Sequence, residues 1–143
     1  MAEHCIIVPA SARWAPLIVP PRLSGPVLDR LLPALVGLNE DWLRQTPRAP
    51  DLYRSGVRYQ AEPMGQEQWL TIPFVLRQGF GDCEDLACWR TAELRVRYNE
   101  RAVAVWSGRR TPRGLLYHIR VRRGNGAIED PSFLLGMTLT RKT

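Results

Sequence analysis

The chain has 143 residues, 45% of them hydrophobic and 24% charged, which is the size and composition of one globular domain with a core of its own. Its 20 basic residues, all arginine apart from Lys142, outnumber 14 acidic ones and leave a net charge of +6. No long block of like charges occurs, so the basic excess reads as arginines dispersed over solvated surface and does not single out nucleic acid as a partner.

Residues 1–23 alternate short apolar runs with Pro9, Pro16, Pro20 and Pro21. Proline-broken and without a basic leader, they read as neither a signal peptide nor a membrane span, but as an extended arm or edge strand followed by a linker. Ile6, Ile7, Val8, Trp14, Leu17, Ile18 and Val19 make this arm too apolar for a solvated tail. It is expected to add a strand to a partner and to stand apart from the domain at 24–143.

From Ser24 to Thr46, Val27, Leu28, Leu31, Leu32, Leu35, Leu38 and Trp42 recur at helical spacing. This predicts an amphipathic helix, or two, with Pro33 as a kink and Ser24 as a cap. Residues 47–69 are rich in proline and glycine and read as an ordered loop with one short strand at 57–60. A helix follows from Cys83 to Tyr98. Strands are expected at 102–107, 115–122 and 126–130, separated by the turn-forming "GRRTPRG" and "RGNG". The order is helices and then an antiparallel meander, an α+β domain with N-terminal helices packed on a small antiparallel sheet.

The stretch "GFGDCEDLACWR" at 79–90 puts a thiol where a loop turns into a helix. The helix dipole and the free N–H groups there favour a thiolate at Cys83, and Gly79 and Gly81 would let the backbone approach a substrate. Asp82, Glu84 and Asp85 oppose that thiolate, so the sulfur calls for a cationic partner. Asp82 or Asp85 reads as a helix-capping group or as a partner of Arg77 or Arg90. With His4 in the arm, His118 is the candidate partner. Strand alternation places it with Leu116 and Arg120, on the face opposite Tyr117, Ile119 and Val121. Asp130 lies across a tight turn and would orient the imidazole, as a cysteine, base and acid in series require. Cys88 falls off the Cys83 face and reads as core, and Cys5 as packing in the arm. No C-x-x-C spacing joins the three cysteines, which argues for reduced thiols in a cytoplasmic setting and against a zinc site or redox dithiol.

"GFGDCEDLACWRTAELR", "YHIRV" and "EDPS" together resemble the transglutaminase-like fold of the papain-like cysteine peptidase superfamily, over roughly residues 77 to 133. The resemblance implies Cys83 as nucleophile, His118 as general base and acid, Asp130 as the orienting residue and Gln78 as an oxyanion-hole donor, with no cofactor or metal. The positions after the histidine and before the aspartate, Ile119, Arg120 and "NGAIE", depart from the aromatic residues many relatives carry. The implied function is acyl transfer on an amide bond of a protein or peptide, by a peptidase or amidase more than a transglutaminase. The contrasting expectation is a structural or adaptor subunit of a larger assembly, such as a phage particle or tail-like device, joined through residues 1–23. On that reading the chain would be found in a viral particle instead of free in the cytoplasm.

Overall fold

The computed structural model describes residues 24–62, 68–112 and 114–138; the proposed arm, with His4 and Cys5, lies outside them. Helix α1 (Ser24–Gln45) runs without interruption through Pro33, so one helix forms where one or two were expected. Leu28, Leu32, Leu35, Val36 and Leu43 recur every three to four residues or a multiple of that, and all are buried. They pack on α3 (Cys83–Tyr98), whose Leu86, Ala87, Cys88, Trp89 and Ala92 are fully buried. Each fully buried leucine contributes about 1.5–3 kcal/mol, so this helix pair is the backbone of the core.

Between the two helices come a 3-10 turn at Leu52–Arg54, strand β1 (Arg58–Tyr59), helix α2 (Ile72–Gln78) and strand β2 (Phe80–Gly81). Strand β1 falls within the short strand expected at 57–60, whereas α2 and β2 are additions to the expected order. Helix α2 is seven residues with a proline near its start, too short for a 3.6-residue period to declare itself. Tertiary bonds hold it instead: the buried Asn39 side chain accepts the Ile72 N–H at 3.0 Å, and Asp85 accepts the Leu70 N–H at 2.8 Å. Gly79, at φ 86°, closes the helix in the left-handed region that glycine tolerates. Strands β1 and β2 pair in parallel, Arg58 with Phe80 and Tyr59 with Gly81.

The meander is β3 (Val103–Thr111), β4 (Gly114–Arg122) and β5 (Ile128–Glu129), antiparallel in that order. The hairpin is longer than expected, absorbing Gly108 to Thr111 into β3, and β5 is shorter. Ile119 and Val121 are fully buried toward α3, while Leu116 is 56% exposed, as the alternation along β4 requires. After β5, Asp130 caps a four-residue helix α4 (Pro131–Leu134), which the sequence reading also lacked. The fold is α+β.

Candidate functional site around Cys83

Three chain segments meet at the start of α3. Cys83 is the first residue of that helix and Asp82 its N-cap. Across from it runs β4, whose Ile119 backbone N–H donates to the Cys83 sulfur. His118 is the residue before that donor, and its ring Nε2 lies 2.8 Å from Asp130 Oδ2. A carboxylate oxygen only accepts, so Nε2 carries the proton of this bond and Nδ1 is the ring nitrogen that can serve as a base. Asp130 is fixed as well: its other oxygen, Oδ1, accepts the Phe133 N–H at 3.2 Å. One carboxylate thus caps α4 and holds the imidazole, and Pro131 at the first helical position suits a start that needs no N–H.

Glu129, one residue earlier, belongs to a different cluster. Its carboxylate accepts from Tyr53 Oη at 2.6 Å, Arg90 Nε at 2.7 Å and Arg123 Nη1 at 2.8 Å. Burial works to raise its pKa, but the Arg90 and Tyr53 hydrogen bonds outweigh it and hold the group below the ordinary glutamate value. Arg90 also pairs with the fully buried Glu93 at 2.7 Å, which in turn accepts the Leu52 N–H. Strand β5 has only two residues, and this clamp on Glu129 is what pins it where Asp130 can reach His118.

Around the sulfur the charge is of the opposite kind. Cys83 Sγ lies 3.4 Å from Glu84 Oε2, and no bond from the thiol to His118 is found among the described residues. Burial first, and then the neighbouring acids Glu84 and Asp82, push the thiol well above the usual cysteine value. This corrects the expectation of a thiolate made by the helix start: its partial positive charge is outweighed by desolvation and two acids. Glu84 is itself 1% exposed, and burial together with a hydrogen bond to Asp82 raises it to about 11. It is therefore a neutral acid at pH 7, sharing its proton with Asp82, while its Oε1 is buried without a partner among the described residues. Asp85 is raised to about 8, by burial and by the charge of Asp82.

Asp85 serves the capping role foreseen for it, accepting the Asp82 N–H at 3.3 Å and the Leu70 N–H at 2.8 Å. The suggested arginines have other tasks: Arg90 holds Glu93 and Glu129, and Arg77 lies over the Phe74 ring. Gly81 is also reassigned. A Cβ there would meet Asp85 Cβ at 3.1 Å and Val75 Cγ1 at 3.3 Å, so the glycine serves the packing of β2 on α3 and not the approach of a substrate. Gln78 is exposed and its Nε2 donates to the Phe80 carbonyl at 2.6 Å, so in this conformation its amide is committed to its own chain. Cys88 is core, its thiol directed at the Leu32 carbonyl.

Two residues at the site were not singled out from the sequence. Tyr59, half-buried, has its phenol raised by burial and then by Cys83, Asp82, Glu84 and Asp130, which surround it. Glu62 brings a carboxylate oxygen within 4.8 Å of those of Asp82 and Glu84. The three form a hard-oxygen set of the kind that takes a proton or a hard cation; the Glu84 proton already relieves the Asp82–Glu84 pair. Both residues come from the 47–69 stretch expected to be an ordered loop, but a tyrosine and a glutamate in a loop carry no local signal of which groups they will face. A cavity of about 450 Å³ lies elsewhere, between Arg95, Asn99, Glu100 and Val103 at the far end of α3, and contains none of these groups.

Compared with known proteins, the chain matches no family model, no curated protein and no solved structure. Within the described residues no helix is long and apolar enough to cross a membrane.

Proposed function

We propose that the chain is a cysteine-dependent acyl-transfer enzyme with a transglutaminase-like (papain-like) core, acting on an amide bond of a protein or peptide, with Cys83, His118 and Asp130 as its triad. The observation that carries this reading is the doubly anchored Asp130 carboxylate, 2.8 Å from His118 Nε2, with the Cys83 sulfur on the N–H of the next residue of the same strand. The raised thiol shapes the mechanism. The sulfur rests as S–H, and His118 Nδ1 removes the proton as the sulfur attacks the amide carbonyl, instead of holding a standing thiolate–imidazolium pair. The imidazolium, stabilised by Asp130, then protonates the leaving amine as the C–N bond breaks and a thioester remains. Water, activated by the same histidine, hydrolyses the thioester and restores the thiol; an amine in its place would make the reaction a transamidation. The backbone N–H of Cys83, at the open helix start, is the donor assigned to the oxyanion on this reading. Gln78 joins it only by releasing Phe80.

The contact between the Cys83 thiol and Glu84 favours a second reading, in which the site is inert and the chain is a structural or adaptor subunit of a larger assembly. Acyl trapping separates the two. With p-nitrophenyl acetate, the acyl-transfer reading predicts a burst of about one equivalent of p-nitrophenol and an acetyl group on Cys83 by peptide mapping. His118→Ala should slow that burst by about 10²–10⁴-fold. Acetylation scattered over other residues, or a burst indifferent to His118, supports the subunit reading.

A further inference from the structure

The cross-strand register of the hairpin pairs Val103 with Arg122, Val105 with Arg120, Ser107 with His118 and Arg109 with Leu116. Directly paired residues share a face, so Arg109, Arg120 and Arg122 stand on the His118 face of the sheet. That face is open: Leu116 is 56% and Val103 37% exposed, and Ser107, Arg109 and Arg122 are exposed too. Elsewhere the arginines near the core are neutralised, Arg90 by Glu93 and Glu129, Arg95 by Glu40, Arg97 by Asp51 and Arg123 by Glu100 and Glu129. Arg109, Arg120 and Arg122 have no acidic partner among the described residues. The one carboxylate beside this face, Asp130, is engaged by His118, and like charges grouped on one face repel unless a further anion pairs with them.

We propose that this face of the β3–β4 hairpin binds an acidic polypeptide, so that the protein acted on at Cys83 is one rich in aspartate or glutamate. The word "acted" rests on the acyl-transfer reading; the binding surface does not. His118, Arg120 and Arg122 alternate along β4 and are spaced about 6.5–7 Å apart, the same interval that separates same-side carboxylates of an extended peptide. Guanidinium groups meet such carboxylates in two-pronged pairs. The residues between the arginines, Val103, Val105 and Leu116, are aliphatic. The hairpin aromatics Trp106 and Tyr117 belong to the opposite face, where Trp106 Nε1 bonds Asp29 of α1 at 2.7 Å. A single-stranded nucleic acid surface would place aromatic rings among its arginines, and this face carries no Trp, Tyr or Phe of the hairpin, only the His118 imidazole that Asp130 engages.

The test is fluorescence anisotropy on full-length Cys83→Ala protein with three labelled probes: a glutamate-rich peptide, its glutamine counterpart and a DNA oligonucleotide of equal charge. The glutamate peptide should bind at least about tenfold tighter than the glutamine peptide, a difference lessened by salt. The combined Arg109→Gln, Arg120→Gln and Arg122→Gln substitutions should remove that preference, while Arg48→Gln, exposed in a distant loop, should leave it. Circular dichroism checks the triple variant. If it fails to fold, Arg122→Glu, at an exposed position, should still weaken the glutamate peptide and not the glutamine one. Equal binding of the two peptides, a triple variant that binds like its parent, or tighter binding of the oligonucleotide would overturn the proposal. The p-nitrophenyl acetate burst uses a small neutral ester and reports on Cys83 alone, so failure of either idea leaves the other measurable.

Discussion

Two carboxylate clusters flank the candidate site, and they have been resolved in opposite ways. Glu129, beside Asp130, is surrounded by Arg90, Arg123 and Tyr53 and is held below the ordinary glutamate value against the pull of burial. Glu84 and Asp85, beside Cys83, are 1% exposed with an acid for a neighbour, and both are driven upward. All are carboxylates, but Glu84 and Asp85 are fully buried beside another acid whereas Glu129 is only part-buried and has cations beside it, so depth and neighbours together decide the charge. The consequence for chemistry is a division of labour. The compensated cluster is rigid and fixes the strand that presents Asp130; the uncompensated one stores protons next to the sulfur and keeps it a thiol until a base removes the hydrogen.

The comparison breaks most visibly if the cation is removed from the compensated cluster. Arg90→Ala leaves Glu93, 0% exposed, and Glu129, 14% exposed at their side chains, without their shared partner. Losing one member of a buried pair costs about 3–5 kcal/mol, measurable by urea denaturation. A loss under about 1 kcal/mol would show that the network is not what holds β5. A smaller effect is expected on the other side. Asp85→Asn keeps the shape but leaves one acceptor where there were two, so either the Leu70 N–H or the Asp82 N–H faces an amide NH2 that cannot accept, at a cost of about 1–3 kcal/mol. Its acyl-transfer rate should match that of the parent. A variant with unchanged melting and a hundredfold slower burst would make Asp85 part of the chemistry.

Acidity gives a graded version of the same test. Asp85, raised to about 8, and Glu84, raised to about 11, hold protons in the folded chain that the unfolded chain has released above its ordinary carboxyl range. The folded state therefore binds more protons, and stability falls as pH rises from near 5 through 8 and beyond. The melting temperature should be higher at pH 5.5 than at pH 9. A rise over that interval would mean that the cluster is ionised or balanced by a bound cation. The least effect belongs to the surface: Arg44→Ala removes pairs with Glu40 and Asp41 in which Arg44 is 58% exposed, and should cost under about 0.5 kcal/mol.

What the sequence declared follows from these physics. The helix at 83–98, the meander and the separation of His118 from Ile119 and Val121 rest on local periods of 3.6 and 2 and were legible. So was Asp130 as the group that meets His118 across the turn, from its place on the next strand and from the resemblance around "EDPS". The charge state of Cys83 was not legible, although the adjacent acids gave warning of it. Helix position and neighbouring charge oppose each other there, and only burial, a tertiary property, decides between them. Helix α2 and strand β2 were hidden because their bonds come from Asn39, Asp85 and β1, all distant in sequence or only marginally ordered alone. Tyr59 and Glu62 reach the site through the pairing of a two-residue strand that no pattern can announce.

The account turns on whether His118 acts as the base for a protonated Cys83. Intact-mass kinetics of alkylation by iodoacetamide, run from pH 6 to 9 on the parent and on His118→Ala, address that directly. The account predicts slow labelling at pH 6, a single adduct on Cys83 with buried Cys88 spared, and a parent rate at pH 7.5 at least about tenfold above the variant's. Superimposed profiles for the two proteins would contradict it.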